Sequence, residues 1–499
     1  MDSKVNTDVV VVGGGPVGLA LATELALAGV EVVVLERLAE RSGQSKALNL
    51  QPRTAEVFDL RELFDSAQSR SMSTVGDGHF SGIPLSYDGW QTRHPYQVGI
   101  PQAQTEQVLE ERLAELGTKV RRGHELVSFE STEDTVVAKV RDDGGEYEIE
   151  AGYLVGCDGG RSRVRKLLGV AFPGTDPTRY AIVADVLLGK IPATMTTTWR
   201  SVRDIFGEED FGRQAVTGTI PLGEPGLFRV LVRLADEERL DRDTQVPDEL
   251  VIGFLKKAHG DEIEVVEVRS ASQFSDTSRQ VERYRVGRVL LAGDAAHIHF
   301  PAGGQGLNLG VQDAVNLGWK LAADLKGWAP DGLLDTYHAE RHPVGERVIE
   351  NTRAQMTLTG DEPASRAMRK LFREIAEMPE VNRKLAGMIS GLDIRYPFDG
   401  PSHPLLGARI PDVELRVDGE TRWASSLFHS GHGVLLSGDP ALLDLALPWR
   451  GRVDAVEATG LPEVAAMLVR PDGYVCWVGT GGETGLDAAL RTWFGEPEN

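Results

Sequence analysis

Glycines at Gly13, Gly15 and Gly18, an acid at Glu36, and a second glycine run from Gly303 to Gly310 are residues whose type and spacing could do chemistry. Gly13-Gly14-Gly15-Pro16-Val17-Gly18 is a GxGxxG, which lets backbone approach a pyrophosphate and seats it on a helix N-terminus. Glu36, eighteen positions after Gly18, can accept hydrogen bonds from a ribose 2′-hydroxyl and disfavours a 2′-phosphate. The spacing therefore predicts bound FAD or NAD rather than NADP. The second run follows Gly293-Asp294 and holds Pro301, Gly303, Gly304, Gly306, Leu307, Asn308 and Gly310. The helix it opens offers unpaired N–H groups and the positive end of a dipole. A third motif closes a strand with Asp-Gly at Gly156-Cys157-Asp158-Gly159, and the basic Lys46 and Arg53 could neutralise phosphates.

The elements that must hold these residues are legible from periodicity. Asp8–Val12 is a continuous apolar run, hence a buried parallel strand; a helix follows the glycines, and Glu31–Leu35 is a second strand. Residues 72–99 turn to glycine and aromatics, which predicts strands of another sheet, and a helix is expected over Glu106–Leu116 with Gly117 as its cap. Lys119–Val155 reads as a meander, Asp142-Asp143-Gly144-Gly145 being one of its turns. Strand-like segments recur at Ala181–Leu188, Ala215–Ile220, Phe228–Leu234 and Ile263–Arg269, with one helix near Pro247–His259. Val289–Ala292 returns to the first sheet and leads into an amphipathic helix (Leu307, Val311, Ala314, Val315, Leu317, Trp319, Leu321). Residues 331–393 read as helical, and Tyr337, His338, Arg341 and His342, ahead of Pro343, read as a packed helix junction rather than a catalytic site. From Pro397 onward a small α/β unit follows, without internal repeats.

The chain has 499 residues, room for about three domains. Its net charge of −22 argues against nucleic acid or an anionic membrane as partner. No apolar run approaches the roughly 18 residues that span a bilayer. The start, MDSKVNTD, leads into a strand rather than a leader-like run. Cys157 and Cys476 stand far apart with no CxxC or metal-type spacing, so the expectation is a cytoplasmic protein with neither disulfide nor metal.

Together the three glycine motifs resemble class A flavoprotein monooxygenases, the family of para-hydroxybenzoate and phenol hydroxylases. The stretches TYHAERHPVGERVIENTRAQ and LVRPDGYVCWVG resemble most the branch that acts on aromatic polyketides. The resemblance runs over nearly the whole chain and implies an α/β fold. A Rossmann-like FAD-binding domain would be built from 1–71, 100–170 and 280–360, and a β-sheet substrate domain from 72–99 and 171–279. A helical connector (361–396) and a thioredoxin-like domain lacking CxxC (397–499) would complete the chain. Carried over by position, Gly13, Gly15, Pro16, Val17, Gly18 and Glu36, with Arg37 and Lys46 nearby, would hold the ADP half of FAD. Gln102 would lie against the ribityl chain and Asp294 would bind a ribityl hydroxyl. Gly304, Gly306, Leu307 and Asn308 would face the flavin N1–C2 carbonyl edge. Asp158 is associated with both FAD and nicotinamide nucleotide. Pro301 would lie at the flavin face where oxygen reacts; Pro301 and Asp294 are then the residues nearest to catalysis, with no general base identified. Lys46 stands where the branch usually has arginine, keeping the charge but losing the fork.

The activity so implied is hydroxylation of a polycyclic phenol or quinone, angucycline- or anthracycline-like, through a flavin C4a-hydroperoxide. NADPH or NADH and O2 would be co-substrates, and a homodimer is an assembly the chain could form. Baeyer–Villiger insertion into a polyketide ketone and a non-catalytic flavin-fold binding protein stay open as alternatives.

Overall fold

Val9, Val10, Val11 and Val12 are buried on both faces because they form a central strand of a parallel sheet. The computed structural model describes residues 5–498 apart from 42, 202–217, 236, 237, 242, 243, 361, 401, 463 and 481–484. Residues 215–217 of one expected strand thus lie outside the described residues; the strand is seen from Gly218 to Pro221.

The first layer runs β1 (Val5–Val12), α1 (Pro16–Leu27), β2 (Val32–Glu36), α2 (Pro52–Asp59), α3 (Gln102–Glu115), β3 (Val120–Arg122), β4 (Gly145–Gly156), α4 (Arg163–Leu168), β5 (Val289–Leu291), α5 (Gln305–Leu325) and α6 (Thr336–Leu358). β5, β4, β1, β2 and β3 lie side by side and parallel. An antiparallel hairpin, Glu125–Ser131 with Val136–Asp142, extends β4 outward. α1 and α5 pack so closely on this sheet that a Cβ on Gly310 would come within 2.5 Å of the Val17 side chain.

A second sheet has four antiparallel strands: Gly218–Pro221, Leu227–Arg233, Tyr180–Lys190 and Glu264–Ser275, in that spatial order. The strands of residues 73–99 do not join it. They form two small sheets of their own, one shared with Asn49–Leu50. Among the described residues no helix is long and apolar enough to cross a membrane.

Two local expectations change. α3 begins at Gln102, directly after Pro101, which places Gln102 in its first turn. Pro343 ends no helix: α6 runs through it as one element. An interior proline costs about 3 kcal/mol, and the neighbouring Glu340 and Arg341 on the same helix are held in buried ion pairs.

The C-terminal six-stranded sheet docks on this layer through one of those networks. Glu340 accepts from Arg470 at 2.7 and 2.8 Å, from Lys320 at 2.9 Å and from Asn316 at 2.6 Å, all of them buried. Arg470 also bonds Asp472 and sits among the rings of Trp319, Phe398 and Trp493. Burial alone would raise the Glu340 carboxyl, but Arg470 and Lys320 outweigh it and bring it from 4.5 down to about 2. A carboxyl depressed in the folded state stabilises the fold above 4.5, and that contribution disappears as pH falls through 4.5 toward about 2. Thermal melts of wild type and Glu340→Gln across that window should show a lower-melting variant with a flatter acid slope. Parallel slopes would remove Glu340 from the acid response.

Candidate functional site

Four adjacent parallel strands end at the same edge, so everything that follows them is brought together. Val12 is paired with Leu35 on one side and Gly156 on the other, and Gly156 is paired with Leu291. The chain leaves these strands as Gly13–Gly18, Glu36, Cys157-Asp158-Gly159 and Gly293-Asp294. Residues distant in sequence thus share one rim.

α1 starts immediately, with Gly15 as its N-cap and no side chain capping it. A Cβ on Gly18 would overlap the Gly13 carbonyl oxygen, whereas one on Gly15 would meet no atom within 4 Å. The first glycine pair closes the turn, and the space over Gly15 is open beside the uncapped N–H groups. Glu36 accepts from Gly14 N and Leu38 N, each at 2.9 Å, and each carboxylate oxygen keeps a second lone pair for a hydroxyl. Asp158 Oδ2 accepts from the Arg163 and Val164 N–H groups and so caps α4, while its Oδ1 is buried with no partner. Arg37, Lys46, Asp294 and Pro301 are exposed on their loops.

α5 is the second uncapped helix start at this rim. Gly303 and Gly304 precede it with φ of 72° and 64°, a left-handed pair that glycine adopts without strain. A Cβ on Gly304 would overlap the Asn49 amide. Asn308 is spent on scaffolding: its side chain donates to Asn49 O and Gly304 O and accepts from Gln51 N. Gln51 in turn donates to Gly303 O at 2.7 Å and accepts from Tyr87. The backbone N–H groups of Gly306 and Leu307, in the first turn of this helix, have no side-chain cap. Gln102 bonds Ala47 through both its N–H and its side chain, and Lys46 O accepts from Arg229, which also forks onto Asp185 of the four-stranded sheet. The 45–47 loop therefore ties the rim to the four-stranded sheet.

Residues 6–352 match the FAD binding domain family, and residues 403–497 match the aromatic-ring hydroxylase C-terminal family. The chain belongs to the class A FAD-dependent aromatic hydroxylases. It is 47% identical to 12-dehydrotetracycline 5-monooxygenase/anhydrotetracycline 6-monooxygenase of Streptomyces rimosus, over 98% of this chain and 99% of that one. Against rifampicin monooxygenase of Streptomyces venezuelae the identity is 45%, over 98% of each chain. The solved structure of the anhydrotetracycline hydroxylase of Streptomyces rimosus superposes with a TM-score of 0.90 at 46% identity, covering 99% of this chain and all of that one. The chain is an FAD-dependent aromatic monooxygenase of the para-hydroxybenzoate hydroxylase fold.

The residues of this hydroxylase fit FAD on three counts: the open space over Gly15, the orphaned Asp158 Oδ1, and two helix starts left uncapped at one rim. Several residues that shape the rim carry no spacing signal in the sequence. Asp313 on α5 accepts from Gly293 N at 3.2 Å, from His297 Nε2 at 2.7 Å and from Arg341 Nε at 2.7 Å, and so holds the turn that presents Asp294. Arg165 donates to Gly160 O and Ala295 O while lying over the Phe172 ring, joining the Asp-Gly turn to the Asp294 turn. His299 sits beside Gly306, its Nδ1 bonded to Phe300 O at 2.8 Å. Burial, reinforced by neighbouring His297, holds the His299 imidazole below its usual range. A cleft of about 250 Å³ is lined by Arg179, Ser278, Phe300, Thr352 and Met356.

Proposed function

We propose that this hydroxylase uses FAD, NAD(P)H and O2 to hydroxylate a polycyclic aromatic polyketide, a phenol or quinone of fused rings. The reading is supported most by the meeting of Gly15, Asp158, the Gly293-Asp294 turn and the α5 start at one rim, in a chain related to monooxygenases of tetracycline-type and rifampicin frameworks. Bound FAD supplies the redox chemistry, taking electrons from NAD(P)H and delivering one oxygen atom of O2 to the ring. The protein's own share is position and electrostatics. Gly13, Gly15 and Gly18, with Pro16 and Val17 opening α1, would take the pyrophosphate, and Glu36 the ribose. Gln102 and Asp294 would hold the ribityl chain. The N–H groups of Gly306 and Leu307, backed by the α5 dipole, would stabilise negative charge on the flavin pyrimidine edge. Pro301 would shape the face open to oxygen and substrate. His299 enters as a neutral ring with its proton on Nδ1, which leaves Nε2 as an acceptor beside the α5 start.

NADPH oxidation screened over fused-ring polyketides, with product masses, tests the reading. The expected result is NADPH consumption with gain of one oxygen. A lactone that takes up water on hydrolysis would instead mark oxygen insertion, and no NADPH consumption across the panel with FAD present would overturn the proposal.

A further inference from the structure

Three polar side chains meet at the seam between the first layer and the C-terminal sheet, away from the FAD rim. Asp59 is the last residue of α2, His94 lies in the loop before strand Gln97–Gly99, and Asp412 lies just before strand Glu414–Val417. One ligand atom from each falls within 4.8 Å of the other two. We propose that Asp59, His94 and Asp412 form a binding site for a divalent transition cation, zinc by preference, that joins the two layers.

The side chains are oriented for this task. His94 is 1% exposed; its Nε2 is hydrogen-bonded to Asp59 Oδ2 and its Nδ1 lies 3.2 Å from the Tyr96 hydroxyl. In the Asp59 contact Nε2 carries the proton and the carboxylate accepts it. A cation would displace that proton, leaving the ring proton on Nδ1, where the Tyr96 oxygen can accept it, the arrangement that outer partners impose on metal-bound imidazoles. Asp412 is 8% exposed; its Oδ1 accepts from Ser425 N at 3.0 Å, and its Oδ2 is buried with no partner. A buried carboxylate oxygen without a donor is costly, and a cation removes that cost. The nearby guanidiniums do not hydrogen-bond this oxygen, although Arg409 attracts the carboxylate through space. Arg409 is held by Glu56 at 2.7 Å and Gln91 O at 2.7 Å. Arg93 reaches Asp59 Oδ2 only at 3.4 Å and is 36% exposed, so it can swing aside and open a path inward.

One imidazole nitrogen and two carboxylate oxygens, with a fourth position left for water, suit zinc, whereas magnesium and calcium prefer all-oxygen sets. Zinc bonds of about 2.0–2.2 Å set tetrahedral ligand atoms roughly 3.4 Å apart, so the hydrogen-bonded His94 Nε2 and Asp59 Oδ2 would part by roughly an ångström to admit the ion. No sequence spacing announces the site, because its ligands come from three separate segments.

The test uses purified holoenzyme stripped with EDTA. Zinc chloride titrated by calorimetry should bind at one per chain and raise the melting temperature, while magnesium chloride at the same concentration should not. His94→Gln and Asp412→Asn should each weaken zinc binding at least about tenfold. Absence of stoichiometric zinc binding would overturn the site, as would an equal response to magnesium or unchanged affinity in the variants. Should Asp412→Asn not fold, the wild-type stoichiometry and His94→Gln decide.

Discussion

Gly15→Leu is expected to give a folded, stable protein that no longer retains FAD. Gly15 has φ −81° and ψ −177°, which leucine adopts without strain, and its Cβ would touch nothing within 4 Å. The side chain therefore costs the apoprotein little. It would, however, stand over the N–H groups at the start of α1, where the pyrophosphate would be held and which no side chain caps. FAD affinity should fall at least about 100-fold, or about 3 kcal/mol. Gly18→Leu makes the informative contrast, because its Cβ would overlap the Gly13 carbonyl oxygen and the fold itself should suffer. Flavin absorbance after gel filtration reports retention, and circular dichroism melts report the fold. Gly15→Leu protein with ordinary flavin content would place the pyrophosphate elsewhere.

What was legible in the sequence is what local spacing encodes. The strand, glycine turn, helix, strand and Glu36 follow one another within the first 36 residues, and Val289–Ala292 leads straight into the glycine loop and α5. The resemblance carried by those motifs named the family to which the chain belongs. Long-range pairing was not legible. Nothing near Asp313 in sequence marks it as the partner of both His297 and Arg341, and nothing near Asn49 and Gln51 marks them as the support of Gly303 and Gly304. Pro343 misleads for the same reason: local chemistry says helix end, and the helix runs on through it among buried tertiary contacts. The strands of 73–99 announce β structure by composition, but which sheet they join depends on register with Asn49–Leu50, which composition does not hold.

Asp313→Asn should be among the most destabilising single substitutions in the chain and should also loosen FAD. Asp313 and Arg341 are both fully buried and bonded at 2.7 Å, so neutralising one leaves an uncompensated buried charge on the other. Breaking such a pair costs about 3–5 kcal/mol. Burial works to raise the Asp313 carboxyl, but Arg341 and His297 outweigh it and hold it below the ordinary carboxylate range. A depressed carboxyl contributes stability above that range and loses it as pH falls through the lowered folded value, so wild type should weaken in acid while the variant, already lacking the term, weakens less. The same carboxylate accepts from Gly293 N and so sets the turn carrying Asp294, which connects stability to the cofactor rim. Denaturation at neutral pH, paired with FAD dissociation measured by fluorescence, separates the two effects. An Arg341→Met partner in a double-mutant cycle isolates the ion pair from the Gly293 bond: if the pair dominates stability, the double variant should recover part of the loss, and FAD affinity should recover with it, because the amide oxygen introduced by Asp313→Asn is then free to accept from Gly293 N. Less than about 1 kcal/mol lost in Asp313→Asn would mean that the network is not what holds this turn.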